Sequence, residues 1–345
     1  MSAPIRVLVV DDSAFARKVV REMLHEPEML VVGIARDGLE ALEQIAALKP
    51  DVITLDLMMP NLDGLGVLRA LPQEDPPRVV VVSISSEESE LGVAALQAGA
   101  VTIVQKPTAL ATAQLYELED ELRRAVIAAA AARTRPARAV HAASVPLPAH
   151  ALDCELVAIG TSTGGPQAIT ELLAALPENF PVPIAIALHI PAGYTEELAQ
   201  RLDRSSKIDV VEATDGVVLR PGLAVLARGG VHLHLTRSVG KLAARLSPEP
   251  RSEPHAPSVD VLFESAVGQL GAAVLGVVLT GMGSDGLRGA RAIRSAGGRV
   301  LAEAERSCVV YGMPRVIKEA GLCVAEAALE DMALAIARHL GPQPK

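Results

Sequence analysis

Short apolar runs alternate with amphipathic stretches along most of the chain, and the alternation occurs twice. In the first half the runs fall at 5–10, 30–35, 51–55, 78–82 and 101–104. They are continuous rather than alternating, which predicts strands buried on both faces. The stretches between them have helical spacing, and the last lies near 112–127. Five strands alternating with five helices predict a doubly wound parallel α/β sheet, whose strand order this pattern does not set. The segment 128–150, AAAAARTRPARAVHAASVPLPAH, has no sustained period and predicts a linker with a partly helical start. A second alternation begins at 155, with strands expected at 155–159, 183–188, 223–227, 231–235, 273–280 and 299–302. Helices are expected at 166–176, 194–204, 258–270, 285–295 and 329–339. The expected organisation is therefore a domain over 1–127, a linker over 128–150 and a second α/β domain over 151–345. The second domain carries a small antiparallel insert around 222–245.

Composition narrows the class. The chain has 345 residues, enough for two cores, and only 2% are aromatic, so the cores are aliphatic. A net charge of −9, with no long basic run, makes nucleic acid a poor partner. No apolar run is long enough to span a bilayer, and the first residues do not form a signal peptide. The widely spaced Cys154, Cys308 and Cys323 fit neither a disulfide framework nor a zinc site, which points to the cytoplasm.

Polar residues at strand ends carry the chemistry. In the first half, Asp11 and Asp12 follow the first strand, Asp56 the third, Ser83 the fourth and Lys106 the fifth. Carboxyl ends of parallel strands share one edge, so these five groups are expected to converge there. Crowded carboxylates repel one another, and a hard divalent cation such as Mg²⁺ relieves that. Asp56 is then a candidate nucleophile toward phosphorus, with Lys106 and Ser83 on the phosphoryl oxygens.

In the second half, Gly160-Thr161-Ser162-Thr163-Gly164-Gly165 joins an expected strand to an expected helix. A serine on such a turn is exposed beside helix-start N–H groups, as an acyl-transfer nucleophile requires. His189 ends the next strand, and Asp285 follows a later one through Gly281-Met282-Gly283-Ser284. All three lie at strand carboxyl ends. Asp285 also stands where a helix cap is expected. The order Ser, His, Asp argues against an α/β-hydrolase, which would need Asp215 followed by His232 or His255. The His232–His234 pair could form half a zinc site, without further ligands nearby in the sequence.

Two resemblances follow from these motifs. Residues 5–127, with VLVVDDS, VITLDLMMPNLDG and VQKP in order, resemble the response-regulator receiver domain, a flavodoxin-like fold. This implies that Asp56 accepts phosphate from a histidine kinase. It also implies Mg²⁺ ligands at Asp12, Asp56 and the Met58 carbonyl, with Asp11 assisting. Ile103 stands where receivers often carry an aromatic switch residue. Residues 153–340 resemble the catalytic domain of chemotaxis protein-glutamate methylesterases of the CheB type, a Rossmann-like fold. The matching pieces are IGTSTGGPQAI, HIPAGYTEELAQRLD, EATDGVVLRPG, HAPSVDVLFESA, VLTGMGSDG and GMPR. The resemblance implies a nucleophile at Ser162, a base at His189 and its orienter at Asp285, with oxyanion donors expected at Thr163 and Met282. Leu188 and Arg228 depart from the family pattern beside this site. The implied activity is hydrolysis of glutamate γ-methyl esters, with deamidation of glutamines, on the cytoplasmic helices of chemoreceptors. No cofactor is implied for hydrolysis, Mg²⁺ serves only the receiver, and the enzyme is expected to be a monomer. The receiver is expected to limit access to Ser162 until Asp56 is phosphorylated. Two other readings are a response regulator with an inactive, partner-binding second domain and a hydrolase of another acyl substrate.

Overall fold

A computed structural model describes residues 3–72, 74–83, 89–106, 112–132, 147, 152–238 and 240–341. The expected linker over 128–150 lies largely outside these residues. Contacts divide the chain into two units, 1–134 and 135–345.

The first unit has five strands: β1 (Ile5–Val10), β2 (Met29–Ala35), β3 (Val52–Leu55), β4 (Arg78–Ser83) and β5 (Thr102–Gln105). Its helices are α1 (Ala14–Met23), α2 (Gly38–Leu48), α3 (Gly64–Ala70), α4 (Ser89–Gln97) and α5 (Thr112–Ala131). The strands pair in parallel in the order β2-β1-β3-β4-β5. Val7 to Val10 and Val79 to Val82 are buried, as strands covered on both faces must be. Side-chain caps start the first three helices: Ser13 accepts from the Ala16 N–H, Asp37 from Glu40 and Asp63 from Gly66. Ser13, rather than the neighbouring Asp12, is thus the cap of α1, which leaves Asp12 to the acidic edge. The order reverses between β1 and β3, so Asp11 and Asp56 flank the crevice where ligands of such sheets bind.

The second unit contains β6 (Leu156–Thr161), β7 (Ile184–Leu188), β8 (Asp209–Glu212), β9 (Leu223–Leu226), β10 (His232–Ser238), β11 (Lys241–Ser247), β12 (Val274–Val278), β13 (Arg299–Glu303) and β14 (Ala325–Ala327). Its helices are α6 (Gly165–Ala175), α7 (Thr195–Ser205), α8 (Val259–Leu270), α9 (Leu287–Ser295), α10 (Met313–Glu319) and α11 (Leu329–Arg338). Seven strands form one parallel sheet, β14-β13-β12-β6-β7-β9-β8. Among the described residues, β10 and β11 stand apart as an antiparallel hairpin. The insert is therefore shorter than the sequence suggests: the 223–226 run pairs with β7 and β8 inside the main sheet. Here the reversal falls between β6 and β12. Ser162 leaves β6 there, with β7 on one side and β12 on the other.

Candidate active site

Each unit gathers polar groups at its reversal point. In the first, the Lys106 ammonium lies 2.6 Å from Asp11 Oδ2 and 3.1 Å from Asp56 Oδ1. The Leu57 N–H also donates to Asp56 Oδ1 at 2.9 Å. Asp56 is buried, and burial, followed by the Asp11 charge, lifts its pKa to about 6 against the pull of Lys106. Oxygens of Asp11, Asp12 and Asp56 lie within 4.8 Å of one another. Three carboxylates, with one exposed to solvent, form the hard-oxygen donor set that suits Mg²⁺. Gly64 is required at this edge, because a Cβ there would lie 2.4 Å from the Asp56 carbonyl oxygen. Ser83 is buried at the end of β4, and its carbonyl accepts from the Lys106 N–H at 2.7 Å. The Met58 side chain is exposed.

In the second unit, strand register sets the site. Gly160 of β6 pairs with Ala187 of β7 and with Val278 of β12. Two residues on, the Ser162 N–H donates to the Thr280 carbonyl at 3.1 Å, and the His189 N–H to the Thr161 carbonyl at 3.2 Å. Ser162 is thus held between the ends of the flanking strands and is partly exposed. Gly164, at φ +78°, makes the turn into α6. Gly281 lets the next strand end approach, since a Cβ on it would sit 2.8 Å from Ser162 Cβ. Thr280 ties the loops together: its hydroxyl donates to the Thr163 carbonyl at 2.9 Å and accepts from the Val310 N–H at 2.9 Å. Among the described residues, the Thr163 and Met282 N–H groups donate to no protein acceptor, as candidate oxyanion donors require.

His189 Nε2 lies 2.8 Å from Asp285 Oδ2. Asp285 Oδ2 also accepts from the Val259 N–H at 2.7 Å. Its Oδ1 accepts from Ser258 Oγ at 3.0 Å, the Asp260 N–H at 2.9 Å and the Gly286 N–H at 2.9 Å. Burial works against this carboxylate, but the His189 bond and charge and the backbone donors outweigh it. They hold its pKa well below the ordinary carboxylate range. Asp285 therefore accepts from His189 Nε2–H, leaving Nδ1 as the basic nitrogen. Nδ1 is buried without a hydrogen-bond partner among the described residues. Ser162 Oγ likewise makes no hydrogen bond among them; the structure joins His189 to Asp285 and sets Ser162 alongside.

Asp285 does not cap the helix that follows it. Gly286 occupies that position, and Asp285 instead receives the first N–H groups of α8, whose own cap is Ser258. The sequence offered Ser258 as a helix start, but its tertiary target left no signal. The His232–His234 pair is not a metal half-site: the Nε2 atoms meet the carbonyls of Pro250 and Glu249 at 3.1 and 3.0 Å. His232 Nδ1 accepts from the Ser258 N–H at 3.2 Å. Asp215 accepts from the Leu246 N–H at 2.6 Å, so the hydrolase-type pairing with His232 does not form.

Two doubly wound units, one with a carboxylate–lysine edge and one with a buried His–Asp pair beside a partly exposed serine, define the class: a receiver-type unit joined to a hydrolase-type α/β unit. Comparison with known proteins agrees. A family model for the response regulator receiver domain matches residues 7–117, and one for CheB methylesterase matches 157–336. The chain is 60% identical over 344 residues to protein-glutamate methylesterase/protein-glutamine glutaminase 5 of Myxococcus xanthus, covering 98% of this chain and 99% of that protein. It is 43% identical to the protein-glutamate methylesterase/protein-glutamine glutaminase of Geobacillus kaustophilus, covering 98% and 99%. The crystal structure of the Thermotoga maritima CheB methylesterase catalytic domain aligns with a TM-score of 0.52 at 36% identity, covering 54% of this chain and 98% of that one. The chain belongs to the CheB methylesterase family and carries a response regulator receiver domain.

Proposed function

We propose that this chain hydrolyses γ-methyl esters of glutamate side chains on chemoreceptor helices, and deamidates glutamines there, under control of phosphorylation at Asp56. Ser162 Oγ attacks the ester carbonyl as its proton passes to His189 Nδ1. The tetrahedral oxyanion takes hydrogen bonds from Thr163 and Met282 N–H groups. Collapse breaks the ester C–O bond, His189 returns the proton, and methanol leaves an acyl-Ser162. Water, deprotonated by His189, then releases the glutamate carboxylate and restores the serine. A glutamine amide follows the same course and releases ammonia. Asp285 fixes the imidazole tautomer and stabilises the imidazolium.

In the receiver, Asp56 attacks the phosphorus of a kinase phosphohistidine, and Lys106 and Ser83 hold the phosphoryl oxygens. Asp12, Asp56 and the Met58 carbonyl, with Asp11 beside them, would hold Mg²⁺. The bound cation supplies charge neutralisation for the phosphoryl group.

The observation that carries this reading is the His189–Asp285 pair, with its unused, buried Nδ1 one strand from a partly exposed serine. Methanol release from methylated receptor membranes tests it. Wild type is expected to release methanol, and Ser162→Ala is expected to lose release by at least about a thousandfold. Equal release by both proteins would remove the serine mechanism.

A further inference from the structure

Resting on that reading, we propose that His255 is a positioning residue that fixes the plane of the His189 imidazole. The two rings stack, with centroids 4.1 Å apart and planes 23° from parallel. His189 needs such support because its one side-chain hydrogen bond, to Asp285, is made by Nε2. Turning the ring about the Cβ–Cγ bond moves both ring nitrogens, and a single hydrogen bond at Nε2 resists that turn at one edge only. The same turn swings Nδ1 further, and histidine has a broad torsional well there. The Asp285 bond therefore sets the tautomer and restrains the ring at one edge, leaving some freedom in the aim of Nδ1. A flat group against the ring face removes that freedom, and His255 is placed there.

The loop that carries His255 is anchored at both ends. His234 Nε2 meets the Glu249 carbonyl at 3.0 Å, and His232 Nε2 meets the Pro250 carbonyl at 3.1 Å. The Gly230 N–H donates to the Ala256 carbonyl at 2.9 Å, and the Ser258 N–H to His232 Nδ1 at 3.2 Å. Immediately beyond, Ser258, Val259 and Asp260 grip the Asp285 carboxylate. Val259 also packs onto β6, where a Cβ on Gly160 would come within 2.2 Å of it. One segment therefore fixes both partners of the pair: Asp285 through hydrogen bonds, and His189 through the face of His255. The hairpin histidines, which serve no metal, set the position of that segment.

The full chain is assayed by methanol release from methylated receptor membranes as wild type, His255→Ala, His255→Phe and Ser162→Ala. Loosening the base should lower kcat of His255→Ala about ten- to a hundredfold, with KM within about twofold. His255→Phe offers the same flat face without ring nitrogens and should restore kcat to within about threefold of wild type. Wild-type kcat in His255→Ala overturns the inference, as does a defect confined to KM, which would make His255 a substrate contact. A defect that Phe does not repair also overturns it, since the ring nitrogens would then be the working part. If His255→Ala does not fold, the Phe variant decides: near-wild-type kcat supports the plane-fixing role, and a large loss rejects it. Release retained in Ser162→Ala removes the serine mechanism itself. Release lost in Ser162→Ala but unaffected in His255→Ala removes only the role given to His255.

Discussion

At Asp285 five donors converge on one carboxylate: His189 Nε2, Ser258 Oγ and the N–H groups of Val259, Asp260 and Gly286. That makes the residue an anchor for α8 as well as a partner for the histidine. An amide in its place would turn an NH₂ group toward some of these donors. Leaving a buried donor unpaired costs about 1–3 kcal/mol. Asp285→Asn is therefore expected to lose roughly 2–4 kcal/mol of stability in urea melts, with kcat falling by about a thousandfold or more. The pH dependence has a definite sign. The folded-state pKa lies below the unfolded value of 3.8, so the stabilisation is complete above that value. It is lost as pH falls from there toward the folded value. The stability gap between wild type and Asp285→Asn should stay level between about pH 5 and 8 and narrow below about pH 4. A gap that widened on acidification would show that the carboxylate is not held in its charged form.

At the level of elements, the close approach of β6 and β12 beyond their ends gives Ser162 its position. A methyl group on Gly281 would meet Ser162 Cβ at 2.8 Å and Met313 Sδ at 2.5 Å. Met313 can shift, but the Ser162 backbone is held by Thr280 and Gly165. Gly281→Ala is expected to cost about 1–3 kcal/mol and to lower kcat at least about tenfold, read by thermal melts and methanol release. An unchanged kcat would show that the serine tolerates displacement. These strand ends were legible because β6, β7 and β12 are continuous apolar runs, and such runs fix which side chains first emerge at the edge. Other elements gave weaker signals. β8 is four residues with only Val210 buried, and β14 is three residues with none buried. Neither carries an apolar run, and each pairs with only one neighbouring strand, at the sheet edge. α10 begins at Met313-Pro314, where a proline near the first helical position is itself a start signal that the GMPR motif obscured. Strand order and the grip of 258–260 on Asp285 depend on contacts between distant segments, which periodicity does not record.

For the whole chain, the question is what the acidic edge does for the esterase. Ser162, His189 and Asp285 all belong to the unit at 135–345. Asp11, Asp12 and Asp56, the one clustered carboxylate triplet among the described residues, belong to the other. Regulation across that division is a coupling free energy between phosphorylation and turnover. Couplings of this kind are typically about 1–3 kcal/mol, or about 5- to 150-fold. A small acyl phosphate with Mg²⁺ should therefore raise methanol release by the wild-type chain by a factor in that range. In Asp56→Asn the ratio of release with and without the acyl phosphate should be close to one, because the amide cannot accept the phosphoryl group. Chelating divalent cations should bring the wild-type ratio to one as well, by disabling the acidic edge. Equal stimulation of wild type and Asp56→Asn would place the phosphoryl acceptor elsewhere. A wild-type ratio of one with phosphate demonstrably on Asp56 would mean that the two sites are carried on one chain without energetic coupling.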